Sequence, residues 1–237
     1  MIRVAGTGVY ERQKTGLFRY NFRYDPARCI EEPMNDGLAA DALELWRGER
    51  RLVANLSFTA GSGTLVHVAG KNGVGKTTML RAVCGLTHAE SGRVSWCGEN
   101  IHNDLSGYHA EVAWLGHRDG LRPELTPKEN LVISHRLHGR RPVGVDADLE
   151  HAGARHLADL PVRSLSAGQK KRIALIRVFT SGARLWLLDE PFANLDTAGC
   201  DWALARIRQH VADGGICMLS THLSFDDAGV VRLELGA

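Results

Sequence analysis

Gly70-Lys71-Asn72-Gly73-Val74-Gly75-Lys76-Thr77-Thr78 has the residue types and spacing of a loop that wraps a phosphate chain. Its glycines let the backbone bend until successive N–H groups point at one anion, and a helix starting behind them adds its positive end. Lys76 is placed to reach the β- and γ-phosphates, and the Thr77 hydroxyl to ligate Mg²⁺. Such a pattern carries meaning only between a strand and a helix. The apolar run Leu65-Val66-His67-Val68-Ala69 precedes it and Met79-Leu80-Arg81-Ala82-Val83-Cys84 follows, so a chance glycine-rich turn ending in Lys-Thr is the weaker reading. ATP and Mg²⁺ are the expected ligands.

A second set of reactive residues is Asp189-Glu190, at the end of the continuous apolar run Leu185-Trp186-Leu187-Leu188. Asp189 suits Mg²⁺, directly or through water, and Glu190 is placed to polarise a water for in-line attack on the γ-phosphate. An acidic pair after a strand is common in isolation, but beside a phosphate-binding loop it reads as the catalytic half of the same site. A third set, Ser166-Ala167-Gly168-Gln169, opens a periodic helix through Ile173, Leu175, Ile176 and Phe179. It offers a hydroxyl and free backbone N–H groups at a second anion-binding helix end.

The elements that position these groups alternate. Ala42–Trp46 and Leu52–Phe58 read as two strands joined by a charged turn, and Gly85 closes the helix after the phosphate loop. Ser91–Gly98 is a short strand and turn, and Val112–Leu115 is a buried-type strand ending at Gly116-His117-Arg118. Residues 126 to about 160 are helical in character. Thr126-Pro127-Lys128-Glu129 carries a cap, a first-turn proline and an acid; Arg140–Gly144 is a break, and Asp148–Leu160 is a second helix. A helix from about Gly199 to Val211 precedes the buried strand Ile216–Ser220. Strands alternating with helices around a phosphate loop define an α/β fold with phosphate chemistry at the carboxyl ends of its strands.

Composition removes several classes. The 29 basic and 27 acidic residues nearly cancel, giving no global field for nucleic acid or an anionic membrane. No apolar run approaches the roughly 20 residues needed to cross a bilayer, so another chain would have to hold this one at a membrane. Cys29, Cys84, Cys97, Cys200 and Cys217 are scattered, without a C-x-x-C pair, and read as reduced structural thiols. The 11 histidines are dispersed and read as mostly surface residues rather than a metal site. Residues 1–36 mix arginines with Tyr10, Tyr20 and Tyr24 and lack sustained periodicity or the apolar core of a secretory signal. They read as an N-terminal extension, disordered or preceding a true start at Met34, with the catalytic domain spanning 37–237.

With Leu165-Ser166-Ala167-Gly168-Gln169 in place the chain resembles the ATP-binding cassette (ABC) ATPases over roughly residues 42 to 235. The resemblance implies a P-loop NTPase with a mainly parallel core sheet, an antiparallel β subdomain and a small helical subdomain at about 118–165. It also implies a homodimer in which Ser166, Ala167, Gly168 and Gln169 face the nucleotide held by the other subunit. Asn194-Leu195-Asp196 matches the loop that contacts the opposite subunit, and Ser220-Thr221-His222 the switch histidine. Two departures stand out. Where the family has a glutamine after the strand, this chain offers His117 or Arg118, depending on register. The aromatic that stacks on adenine falls near Arg47, with Trp46 beside it, and Arg47 is favoured.

Leu115-Gly116-His117, Leu165–Arg172, Leu185–Phe192 and Gly214-Gly215-Ile216 together resemble the ATP-binding subunits of cytochrome c maturation, the CcmA family of haem exporters. That resemblance implies a peripheral subunit on the cytoplasmic face of a bacterial inner membrane. Its expected partners are integral membrane subunits resembling CcmB and CcmC, with a functional link to CcmE. ATP hydrolysis would drive haem export or release of the haem chaperone. The competing readings are another small-molecule exporter, a soluble ABC ATPase and a P-loop kinase. Only about 47 residues separate Arg118 from the signature, too few for the long coiled-coil insertion of nucleic-acid-handling cassettes, and no nucleic-acid partner is expected. A kinase would need no signature loop.

Overall fold

The computed structural model describes residues 7–12, 18–23, 36–223 and 229–236. Near the N-terminus β1 (Thr7–Arg12) and β2 (Phe18–Arg23) pair as an antiparallel hairpin, which the sequence reading does not anticipate. Met34 and Cys29 lie outside the described residues.

An antiparallel sheet follows. β3 (Gly37–Arg47) pairs with β4 (Arg50–Gly61) on one side and with β6 (Ser91–Trp96) on the other, and β6 continues to β7 (Glu99–Asn100). β3 begins five residues before the expected Ala42. Gly37-Leu38-Ala39-Ala40 contains no β-branched residue and so gives little local signal, yet Leu38 and Ala40 are buried in the core. Register shifts around Ala42, which has φ of 48°, bend the strand there.

Five parallel strands form the second sheet, in the order β11-β5-β10-β9-β8. They are β5 (Leu65–Ala69), β8 (Val112–Leu115), β9 (Leu185–Asp189), β10 (Ile216–Ser220) and β11 (Val230–Glu234). Every residue of β5, β9 and β10 is buried, as expected of strands covered on both faces. α1 (Lys76–Val83) lies between the two sheets and packs on β3, β9 and β10. Met79, Leu80 and Val83 join Leu38, Leu43, Leu187 and Met218 in that core. α2 (Leu105–Ala110), capped by Asp104, packs beside β8; the sequence reading leaves α2 and β11 unassigned.

α3 (Pro127–Leu137) has the expected capping box, with Thr126 and Glu129 exchanging hydrogen bonds. The helix expected over Asp148–Leu160 is instead α4 (Val145–His151), a turn at Gly153 with φ of 64°, and a 3₁₀ segment Arg155–Leu157. Gly153 takes the left-handed conformation that stops a helix. α5 (Ala167–Phe179) belongs to two cores: Ile173 and Ile176 face Leu131, Leu149 and Leu157, whereas Leu175 and Phe179 face the parallel sheet. α6 (Thr197–Ala212) covers the same sheet face.

One contact in this layer gives a stability prediction. The imidazole of His210 stacks on buried Trp186 with centroids 3.7 Å apart and planes 3° from parallel. Gly215 closes over it: a Cβ there would lie 2.2 Å from the ring. Desolvation pulls the His210 pKa below its ordinary value, against hydrogen bonds to Ile216 and Arg184 that raise it. A base with a lowered folded-state pKa binds protons more readily when unfolded. Its contribution is therefore complete above the ordinary histidine value of about 6.5 and is lost as pH falls below it. Urea midpoints are expected to drop between pH 7.5 and 5.5, with a smaller drop in His210→Phe; equal drops would remove His210 from the account.

Candidate active site

The phosphate loop starts where β5 ends. Gly70, Gly73 and Gly75 have φ of 136°, 76° and 120°, backbone that L side chains rarely adopt. At Gly70 a Cβ would stand 2.7 Å from the Leu235 carbonyl, so the loop is also pressed against the chain after β11. Val74 N donates to Lys71 O at 3.3 Å, closing a turn. Lys76 is 8% exposed and its Nζ donates to the Gly70 carbonyl at 2.8 Å, which keeps the ammonium inside the loop. A cavity of about 190 Å³ opens beside it.

That cavity is lined by Asn72, Gly73, Gly75, Lys76, Thr77 and Thr78 from the loop, by Asp189 and Glu190 after β9, and by Arg47, Leu52 and His117 from three further segments. The sequence-derived phosphate and acidic sets are thus brought together. Of the two candidates near adenine, Arg47 lines the cavity and Trp46 does not. Of the two at the glutamine position, His117 lines it and Arg118 does not.

Asp189 is 4% exposed, and both of its oxygens accept. Thr77 Oγ1 donates to Oδ2 at 2.8 Å and Ser220 Oγ donates to Oδ1 at 2.6 Å. Ser220 reaches it because β10 runs parallel to β9 in a register that sets Ser220 opposite Asp189. The same serine receives the Glu190 N–H on its Oγ and on its carbonyl, both at 3.1 Å. Glu190 has φ of 49°, a left-handed conformation costly for a residue with a Cβ. Hydrogen bonds to Ser220 hold it there, with the carboxylate turned toward His222, whose Nε2 lies 3.5 Å from Oε1.

Ser220 is the residue bracing the site that sequence reasoning misses. The available signal was a small hydroxyl ending the buried strand next to the one that ends in Asp189. Ser220→Ala leaves the buried Asp189 Oδ1 without its donor, while the Glu190 N–H keeps its bond to the Ser220 carbonyl, an expected cost of about 1–3 kcal/mol. It should appear in the denaturation midpoint, together with weaker Mg²⁺-dependent nucleotide binding. A fold and an affinity both unchanged would show that Ser220 merely fills space.

Ser166, Ala167, Gly168 and Gln169 do not line this cavity. Ser166 and Gln169 cap α5 reciprocally: Ser166 N donates to Gln169 Oε1 at 2.9 Å and Gln169 N to Ser166 Oγ at 3.2 Å. Gly168 is overlaid by the Asn194 carbonyl, which a Cβ would approach to 2.5 Å. Asp196 caps α6 through Gly199 N and accepts from Arg172 Nη2 at 3.0 Å, while Arg172 Nη1 donates to Ala152 O at 3.0 Å. Signature and Asp196 loop therefore form one braced surface, with Ser166, Ala167 and Asp196 exposed. His117 is tethered from α5: Lys171, itself 4% exposed, pairs with Asp119 at 3.1 Å, and Arg177 donates to Trp114 O at 2.9 Å.

Among the described residues no disulfide forms, and burial raises the Cys84 thiol pKa to about 11. No group of three metal-ligating side chains occurs among them, and no helix of theirs is long and apolar enough to cross a membrane.

A phosphate loop, a strand-end Asp-Glu pair, a braced signature helix and a two-sheet core define an ATP-binding cassette. The profile described as ABC transporter matches residues 53–193, and the chain belongs to this family of ABC ATPases. Among curated proteins it is 41% identical over 200 residues to the cytochrome c biogenesis ATP-binding export protein CcmA of Escherichia coli strain K12. That alignment takes in 84% of this chain and 96% of the relative. Among solved structures it resembles an ABC transporter ATP-binding protein from Pyrococcus furiosus, with a TM-score of 0.74, 19% identity, and coverage of 84% of this chain and 97% of the other. A dimeric post-hydrolysis ATP-binding cassette bound to ADP and Pi is similar with a TM-score of 0.71 and 21% identity, covering 78% and 88%.

Proposed function

We propose that this chain is the ATP-hydrolysing subunit of a membrane complex for cytochrome c maturation, working as a homodimer on the cytoplasmic face of a bacterial inner membrane. The observation that carries this reading is the likeness to CcmA along 96% of that relative, joined to a cavity in which Lys76, Thr77, Asp189 and Glu190 converge. Its proposed partners are integral membrane subunits resembling CcmB and CcmC, with CcmE served by the energy released as haem export or chaperone release.

The residues divide the work of ATP hydrolysis. Backbone N–H groups of residues 70–78 and the Lys76 ammonium bind the phosphate chain and neutralise charge that develops on it. Arg47 offers a guanidinium face to the base. Glu190 accepts the proton of a water as its oxygen bonds to the γ-phosphorus and the bond to the ADP oxygen breaks, leaving ADP and phosphate. His222, beside Glu190, orients that water and contacts the γ-phosphate.

Thr77 Oγ1 and Asp189 Oδ2, already 2.8 Å apart, are an all-oxygen pair that suits Mg²⁺, with His117 at the position usually filled by a glutamine. Mg²⁺, when bound, supplies charge neutralisation between the phosphates. Ser166–Gln169 and Asp196 lie off the cavity, with Ser166, Ala167 and Asp196 exposed, which supports their facing the nucleotide of a second copy.

Affinity purification of the full chain from membranes is expected to recover an integral membrane subunit and no nucleic acid. Recovery without any membrane protein, but with RNA or DNA, would favour the soluble ABC ATPase.

A further inference from the structure

The segment joining α3 to α4 is unlike the rest of a charge-balanced surface. From Asn130 to Val145 there is no acidic residue, while Arg136, Arg140 and Arg141 fall within six positions. Leu137 and Val143 bracket the last two arginines and are 78% and 77% exposed, well beyond the other exposed large apolar side chains such as Leu86 at 46%. Single exposed apolar residues are ordinary. Two so far exposed, one ending α3 and one on the short basic segment after it, are not.

The loop is also held firmly. Arg140 N donates to His135 O at 2.8 Å, Gly139 N to Arg136 O at 3.0 Å and Val143 N to Arg141 O at 2.8 Å. The Arg140 guanidinium donates to Thr180 O at 2.7 Å and lies over Gly182, pinning the loop to the end of α5. At Gly139 and Gly144 a Cβ would meet nothing within 4 Å, so open space borders the backbone at both ends of the tip. Of the nearest acids, Asp146 is paired with Lys128 and Arg155, and the partly buried Asp148 acts on Arg140, whereas neither Arg136 nor Arg141 is in an ion pair among the described residues. Thr180 caps the opposite end of α5 from Ser166, roughly 20 Å away for a 13-residue helix. Contact at this tip therefore leaves the signature surface free.

We propose that Arg136–Gly144, the end of α3 and the loop after it, docks directly on anionic lipid. Leu137 and Val143 enter the headgroup boundary, and Arg136 and Arg141 face the lipid phosphates. The charge and the protruding apolar pair favour a bilayer surface over a protein groove. The proposal rests on the membrane-associated reading above and adds that the chain supplies part of its own attachment.

Flotation of the isolated full chain with vesicles tests it. The chain is expected to float with phosphatidylglycerol–phosphatidylcholine vesicles, less so at high salt, and not with phosphatidylcholine alone. Arg136→Glu/Arg141→Glu should weaken partitioning by about tenfold or more, and Leu137→Ser/Val143→Ser severalfold, with ATPase activity unchanged in both. No flotation with anionic vesicles, or flotation equal to wild type in both double variants, overturns the proposal. So does a result in which the variants keep vesicle binding but lose an integral membrane subunit on purification, since that makes the loop a protein contact. Failure here with that co-purification intact in every variant would leave the proposed function standing.

Discussion

Glu190→Gln lowers ATP turnover by about 10²- to 10⁴-fold, the usual contribution of a general base, while leaving nucleotide affinity close to wild type. The asymmetry follows from geometry. The Glu190 backbone is fixed by its N–H bonds to Ser220, which the substitution keeps. The side chain lies at the cavity wall near His222, whereas the groups proposed to grip phosphate come from residues 70–78. A glutamine fills the same volume and still hydrogen-bonds, but cannot take a proton from the attacking water. With ATP bound and uncleaved, the sandwich of two copies persists, so the variant should elute as a dimer in ATP and as a monomer without it. Turnover at the wild-type rate in the assembled complex would remove Glu190 from the role of base.

Lys76→Ala acts at the other end of the kinetic scheme. The Lys76 ammonium is almost wholly buried and donates to the Gly70 carbonyl, which holds it within the phosphate loop. Losing one charge-assisted hydrogen bond of about 1.5–3 kcal/mol weakens ATP binding roughly 10- to 150-fold. Because the lost charge is also proposed to face the transferred phosphoryl group, turnover at saturating ATP should fall as well. Titration calorimetry with a slowly hydrolysed ATP analogue separates the two effects. Wild-type affinity in Lys76→Ala would mean that backbone N–H groups alone hold the phosphates.

The phosphate loop, the Asp-Glu pair and the signature were legible because each is a contiguous run whose chemistry depends on local backbone. The parallel sheet was legible for a related reason: Leu185–Leu188 and Ile216–Leu219 are apolar without alternation, which only a doubly covered strand tolerates. Ser220 was not legible as a partner of Asp189, since their contact is set by the register of β10 on β9, across 31 positions of sequence. In the sequence only strand alternation separates Arg47 from Trp46, and the irregular pairing of β3 makes alternation a weak guide. Gly37–Ala40 and the end of α4 depart from the sequence expectation for opposite reasons. In the first, burial overrides a weak strand signal; in the second, Gly153 overrides a plausible helical run.

The measurement that tests the account most directly is formation of c-type cytochromes in a strain lacking its own CcmA, supplied with this chain and the matching membrane subunits. Wild type is expected to restore haem-containing cytochrome c, whereas Glu190→Gln, expressed at the same level, restores none. Failure of the wild-type chain, or equal restoration by Glu190→Gln, would contradict the claim that ATP hydrolysis at this site drives cytochrome c maturation.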